Sequence, residues 1–265
     1  MQDFTLDREA LSGPHAFFGG LIHVLERISG HRSGTDAVLL AACLPEGAKG
    51  LVLDLGCGSG VVGLAVAARH PALRALLLDS DPALCALAAR NAQDNGLSGR
   101  VQTLCADMLA LQPVLKSSTA QAAGLVEEGA DYVLSNPPFH PAGRVRVSPY
   151  PGKASAHVLE DEALAQWIKS AGRLLKPRGQ LIMIHRPDAV PFLLQSMAGR
   201  FGAVRIKPVH GKAGRPATRV LIAGIKGSRA PFSLLEPLIL HEPDGQRSAV
   251  DEAIARGRHL IDMGL

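Results

Sequence analysis

The chain has 265 residues, 47% hydrophobic and 20% charged, with a net charge of +4 at neutral pH. That suffices for one large core or one core with an appendage, and no run reaches the ~20 apolar residues that a membrane span needs. From His140 to Arg219 fourteen Lys/Arg stand against four Asp/Glu, a net of +10 that leaves −6 elsewhere, an asymmetry that suits a polyanionic partner or a plain solvated surface equally well.

The first residues, Met-Gln-Asp-Phe-Thr-Leu-Asp, carry no basic-then-apolar signal pattern, which points to the cytoplasm. Ala16 to Gly20 and Leu21 to Ile28 predict a strand pair or a short helix. Gly30-His-Arg-Ser-Gly-Thr-Asp36 is turn-forming, and Thr35 or Asp36 suits the N-cap of an apolar helix over Ala37 to Cys43, ended by Pro45. The same polar cluster is placed either to cap alone or to line a ligand site beside the next strand.

From Gly50 the pattern is regular. Leu51 to Leu55 reads as a buried strand, Gly56-Cys-Gly-Ser-Gly60 as a glycine loop and Val61 to Arg69 as a helix. In that order the backbone approaches a ligand closely and a helix N-terminus faces it. Asp54 lies two residues before the first glycine, and no phosphate-loop lysine follows, which argues against a nucleoside triphosphatase. A second strand over Leu76 to Asp79 ends in an acid, and Ser80-Asp81-Pro82 opens a helix to about Asn95. Asp79 sits 19 positions past Gly60, near the spacing at which a carboxylate reaches a ribose hydroxyl pair. Asp81 reads as a cap. A third strand, Val101 to Leu104, ends near Asp107, which is placed to receive an adenine amine.

Gln112 to Glu128 is low in complexity and predicts a surface insertion. Ala130 to Ser135 reads as a strand that Asn136-Pro137-Pro138 must end, because each proline fixes φ and lacks an N–H. This makes a stiff shelf at a strand's C-terminal edge, with the Asn136 amide and backbone carbonyls as acceptors and Phe139 as an aromatic face. Such a shelf suits a planar ring with an exocyclic amino group; an ordinary strand-ending turn is the plainer reading. His140 to Ala154 predicts a mobile loop. Asp161 to Leu175 has helical spacing that faces Trp167 to the core and stops at Pro177-Arg-Gly179. Leu181 to Ile184 is a fifth strand, Asp188 caps a helix to Met197, and strands near Val204–Val209 and Arg219–Ala223 form a terminal hairpin. The tail predicts a strand or coil and a helix from Val250 to Arg258. The four cysteines (Cys43, Cys57, Cys85, Cys105) lack C-x-x-C spacing and read as reduced, buried small residues with no metal. The sum is an α/β, doubly wound, seven-stranded, mostly parallel sheet with an antiparallel terminal hairpin. It divides into an N-terminal extension lining the ligand site (1–49), a main domain (50–225) and a packing tail (226–265).

Asp54-Leu-Gly-Cys-Gly-Ser-Gly60, Asp79, Asp107 and Asn136-Pro-Pro-Phe139 together resemble class I S-adenosylmethionine-dependent methyltransferases, in the subset that methylates amino groups of planar π-systems. The likeness spans roughly residues 30–225. Arg32-Ser-Gly-Thr-Asp36 and the run to Ala42, His185-Arg-Pro, Gly214-Arg-Pro-Ala-Thr-Arg-Val220, Lys226 to Pro231 and Leu238 to Glu242 are similar to bacterial tRNA-Val adenine-N6 methyltransferases. The resemblance implies S-adenosylmethionine held by Thr35, Asp36, Asp54, Gly56, Cys57, Gly58, Gly60, Asp79, Asp107 and Asn136. It implies methylation at a shelf of Asn136, Pro137 and Phe139, on the adenine 3′ of the anticodon. The tRNA phosphates then fall to Arg144, Arg146, Lys153, Arg215 and Arg219, in a monomer or weak homodimer. The same shelf serves glutamine-N5 methylation of release factors and adenine methylation of DNA, and an RNA-binding module without activity is a further alternative. A dehydrogenase is disfavoured, since nothing after the glycine loop supplies a hydride-transfer site.

Overall fold

A computed structural model describes residues 10–29, 33–137 and 153–265, with side chains from 161 onward in the last segment. The chain opens with a hairpin, β1 (Leu11–Phe17) and β2 (Ile22–Arg27), in which Pro14 and a register shift between Ser12 and His15 interrupt β1. Then come α1 (Thr35–Ala42), β3 (Gly50–Leu55), α2 (Val61–Arg69), β4 (Leu73–Asp79), α3 (Pro82–Asp94) and β5 (Val101–Cys105). Two short helices, α4 (Leu111–Lys116) and α5 (Ser118–Ala122), precede β6 (Ala130–Ser135), α6 (Lys153–Leu174), β7 (Leu175–His185) and α7 (Val190–Met197). The chain closes with β8 (Phe201–His210), β9 (Ala217–Lys226), two-residue strands β10 (Ser233–Leu234) and β11 (Leu238–Ile239), and α8 (Ala249–Ala255).

One sheet runs β10-β8-β9-β7-β6-β3-β4-β5, with β11 also on β8. Strands β3 to β7 are parallel, and β9 is antiparallel to both β7 and β8. The central strands are apolar on both faces because helices cover both. On one face Leu40, Val52, Leu64, Leu77 and the tail residues Ile254 and Ile261 share a core with the hairpin's Ile22 and Val24. On the other, Leu53, Leu78, Val133, Ile168, Leu174, Leu193 and Phe201 form a second core. Helix α2 lies so close to β4 that a Cβ on Gly63 would fall 2.0 Å from Leu77.

Several boundaries differ from expectation for local reasons. The sheet has nine strands rather than seven, because the tail between Ala230 and Leu240 hydrogen-bonds to β8. Strand β7 begins at Leu175, and Pro177-Arg-Gly179 bulges within it, with Arg178 at φ 69°, instead of separating helix from strand. The 112–128 segment lies mostly at the surface, as expected, but is ordered into most of α4 and all of α5, with Ala120 and Leu125 buried in the second core. Gly34, not Thr35 or Asp36, occupies the N-cap of α1, and no side chain caps it. Asp188 likewise lies inside a short 3-10 turn (Pro187–Ala189) and caps nothing. Asp81 does cap α3, accepting from the Ala83 N–H. Three cysteines are buried and free as expected, but Cys105 is exposed.

The hairpin is tied to α3 by two asparagines. Asn91, fully buried, accepts from the Leu25 N–H and donates to the Leu25 and Ser59 carbonyls. One turn later Asn95 accepts from the His23 N–H and donates to the His23 carbonyl. Hairpin, helix and glycine loop are thereby one hydrogen-bonded unit. Among the described residues no helix is long and apolar enough to cross a membrane.

Candidate active site

The C-terminal edges of β3, β4, β5 and β6 bring the expected residues into one row. Gly56, Gly58 and Gly60 take φ of 74°, 56° and 91°, the left-handed region that a side chain disfavours. The loop is held from β4: the Gly56 and Cys57 N–H groups donate to the Leu78 carbonyl. The Gly58 N–H donates to Asp79 Oδ2 (2.9 Å), and Asp79 Oδ1 accepts from the Asp81 N–H (3.0 Å). Both Asp79 oxygens are therefore oriented by backbone before any ligand arrives. Cys57 contributes its backbone to this loop; burial, with Asp54, Asp79 and Cys85 nearby, pushes its thiol well above the ordinary range.

Asp54 is almost wholly buried and accepts from the Gly63 N–H in the first turn of α2 (2.9 Å). Burial pushes its carboxyl up to about 7, against the pull of the Gly63 hydrogen bond and with a further push from Asp79. The folded chain therefore keeps a proton that the unfolded chain releases between roughly pH 4 and 7, so this group makes stability fall as pH rises through that window. The slope is at most about 1.4 kcal/mol per pH unit. Asp54→Asn keeps an acceptor for Gly63 and removes the slope. Its melting temperature, compared with the parent, is expected to be higher at pH 8 than at pH 5; the same difference at both would return Asp54 to an ordinary carboxyl.

A cleft beside this loop is lined by Arg27, Ser29 and Ser33 from the N-terminal segment, Ala37 of α1, the glycine loop, Leu84 and Asn136. From the polar cluster, then, Ser33 reaches the wall, while Thr35 is exposed and Asp36 pairs with Arg219 at 2.8 Å. Ser33 is fixed there by a hydrogen bond from its N–H to buried Glu26 (2.7 Å) and by its hydroxyl, 3.3 Å from that of Ser59. Asp107 stands two strands from the loop, exposed, and caps a 3-10 turn through the Leu109 N–H.

Asn136 follows the last residue of β6, and Pro137 behind it is buried. The Asn136 side-chain oxygen is buried and has no hydrogen-bond partner among the described residues. An acceptor held that way costs about 1–3 kcal/mol, so its position makes sense as a place for an incoming donor. What holds the shelf was not readable from spacing. The Ser135 hydroxyl donates to the Leu55 carbonyl (2.9 Å), joining the ends of β6 and β3, and accepts from Trp167 Nε1 (2.9 Å). The Trp167 ring lies 3.3 Å from where a Cβ on Gly56 would sit, so the loop backbone rests on the indole. Helical spacing marks Trp167 as inward-facing; nothing in it says that the ring spans from shelf to loop.

Phe139, Arg144 and Arg146 lie outside the described residues, as does the Lys153 side chain; the Lys153 backbone opens α6. Arg215 is exposed in the β8–β9 turn, where its carbonyl accepts from His210 Nδ1. Arg219 is not an open phosphate ligand, since its guanidinium engages Asp36. Arg173 and Lys176 pair with Glu127 and Asp131, so part of the +10 segment is neutralised by acids outside it.

Similarity to known proteins follows the same geometry. A protein named tRNA1(Val) (adenine(37)-N6)-methyltransferase from Porphyromonas gingivalis is 30% identical over 82% of this chain and 84% of its own. One of the same name from Dickeya chrysanthemi is 29% identical over 86% and 87%. The crystal structure of a predicted O-methyltransferase from Agrobacterium tumefaciens superposes with a TM-score of 0.71 at 29% identity, covering 87% of this chain and all of that one. The family described as methyltransferase small domain matches residues 29–210, which takes in the glycine loop, both strand-end acids and the asparagine shelf, and the chain belongs to that family.

Proposed function

We propose that the chain is an S-adenosylmethionine-dependent RNA adenine-N6 methyltransferase, acting on the adenine 3′ of the anticodon of a valine tRNA. The observation that carries the chemistry is the buried Asn136 oxygen at the strand edge beside the glycine loop, which has no hydrogen-bond partner among the described residues. The substrate follows from the two relatives named for that reaction, of whose lengths the match covers 84% and 87%.

The residues present fit the cofactor. The bare backbone of Gly56 to Gly60 and the N-terminus of α2 form a cradle, and the oriented Asp79 carboxylate is suited to accept from a vicinal diol. Ser33, Arg27 and Ala37 wall the cradle from the hairpin side, and Asp107, exposed two residues past β5, is the acceptor this reading assigns to the adenine amine. S-adenosylmethionine, when bound, supplies an electrophilic methyl group on a sulfonium.

The chain's own task is then alignment, which accounts for up to roughly 7–11 kcal/mol in well-oriented reactions. Asn136 Oδ1 accepts one hydrogen of the adenine amino group, and the Pro137 carbonyl accepts the other. These bonds draw the nitrogen lone pair out of the ring and stabilise the positive charge that grows there, an effect larger in the transition state than before it. No strong base is needed before transfer. Phe139, by its place in the sequence, supplies the face on which a base turned out of its neighbours stacks. Arg144, Arg146, Lys153 and Arg215 are the phosphate contacts of this reading, with loop RNA as the form best recognised by splayed bases.

Tritiated-methyl transfer from S-adenosylmethionine to total RNA, DNA and protein, followed by digestion, tests the reading. N6-methyladenosine from the tRNA fraction is the expected product. Label recovered as methylglutamine or in DNA would replace the substrate, and no label in any fraction would remove the activity.

A further inference from the structure

Two thiols that the methyl-transfer chemistry does not use meet at the tip of β4. Cys85 is buried in the first turns of α3, and its thiol donates to the Asp79 carbonyl (3.4 Å). Cys105 ends β5, is exposed, and donates to the next carbonyl, that of Ser80 (3.7 Å). Sheet register sets Cys105 opposite Asp79. The two sulfurs thus serve consecutive carbonyls at one strand tip.

We propose that Cys85 and Cys105 are an oxidative modification site, forming a reversible disulfide on exposure to a peroxide, and that this bond weakens cofactor binding through the Asp79–Ser80 tip. Burial, then the neighbouring Cys105 and Asp79, pushes the Cys85 thiol up to about 12. Cys85 therefore stays protonated and shielded, and exposed Cys105 is the sulfur that a peroxide meets. Its sulfur attacks one peroxide oxygen, the O–O bond breaks, and a Cys105 sulfenic acid forms with release of water. The Cys85 sulfur then displaces the sulfenic hydroxyl, which leaves with the Cys85 proton as a second water. Two thiols lose two electrons and two protons, and one peroxide becomes two waters.

The consequence for binding is local. Oxidation removes both S–H donors from the carbonyls of Asp79 and Ser80 and draws α3 and β5 together across them. Asp79 is the residue whose carboxylate accepts from the Gly58 N–H and, in the cofactor reading, from the ribose. This inference rests on that cofactor reading.

The test uses the reduced full chain, treated with hydrogen peroxide, alkylated and mapped as peptides without reductant, with S-adenosylmethionine affinity measured by calorimetry in parallel. The expected map links residues 85 and 105 and leaves two of the four thiols alkylated. The expected dissociation constant rises about tenfold or more, as for loss of one charge-assisted hydrogen bond, and dithiothreitol restores it. Cys105→Ser is expected to bind like the reduced parent and to ignore peroxide. A Cys105 sulfinic acid with Cys85 still free, or a disulfide with unchanged affinity, overturns the inference alone. A reduced, untreated chain that does not bind S-adenosylmethionine overturns the cofactor reading and this inference with it.

Discussion

Asn136→Ala is expected to slow methyl transfer by about 10²–10³-fold, the loss seen when one donor or acceptor aimed at a developing charge is removed. The dissociation constant of S-adenosylmethionine is expected to stay within about twofold, because the cradle is built from the Gly56–Gly60 backbone and Asp79. Single-turnover rates with a tRNA transcript, beside calorimetry, separate the two quantities. Asn136→Asp keeps an acceptor oxygen in place and should retain more of the rate than the alanine variant. A near-parental rate for Asn136→Ala would sink the shelf mechanism, because the Asn136 oxygen would then take no part in transfer.

Asp79→Ala carries the second large effect, in the opposite quantity. Its carboxylate joins the Gly58 and Asp81 N–H groups at the end of β4, and in our reading it is the acceptor for the cofactor's ribose. Losing a charge-assisted acceptor is worth about 1.5–3 kcal/mol, or roughly 10–100-fold in affinity. The expected outcome is that much weaker binding, with single-turnover rates at saturating cofactor much less affected than in Asn136→Ala. An unchanged dissociation constant would reassign Asp79 to loop support alone.

The parts legible in the sequence are those where local chemistry admits few solutions. Three glycines at alternate positions between a strand and a helix demand left-handed backbone, and the structure places all three there. Asp79 ends its strand and faces the loop, and Asp81 caps the next helix, because short acids at strand ends have few other partners. The less legible parts depend on contacts distant in sequence. Ser135 and Trp167, 32 positions apart, brace the shelf through one hydrogen bond. Asp36 looks like a cap in its own segment and is instead paired with Arg219, 183 positions away. Low complexity marks 112–128 as a surface insertion but does not show that Ala120 and Leu125 anchor it to the second core. The tail strands β10 and β11 are two residues each, too short for any alternation to show.

The N-terminal hairpin has a further property. A two-stranded ribbon offers two unsatisfied flanks, and such flanks invite a foreign chain to add itself, the first step toward swapped dimers and fibres. Here, among the described residues, the flank of β2 is sealed by the Asn91 and Asn95 amides. Asn91 and Asn95 are separated by about 6 Å along their helix, close to the ~6.8 Å between His23 and Leu25 along theirs, so two side chains imitate a neighbouring backbone. The flank of β1 is spoiled by Pro14, which has no N–H to give, and by the irregularity beside it. A ribbon guarded on both sides can border the cleft beside the glycine loop with fewer backbone groups open to strand addition.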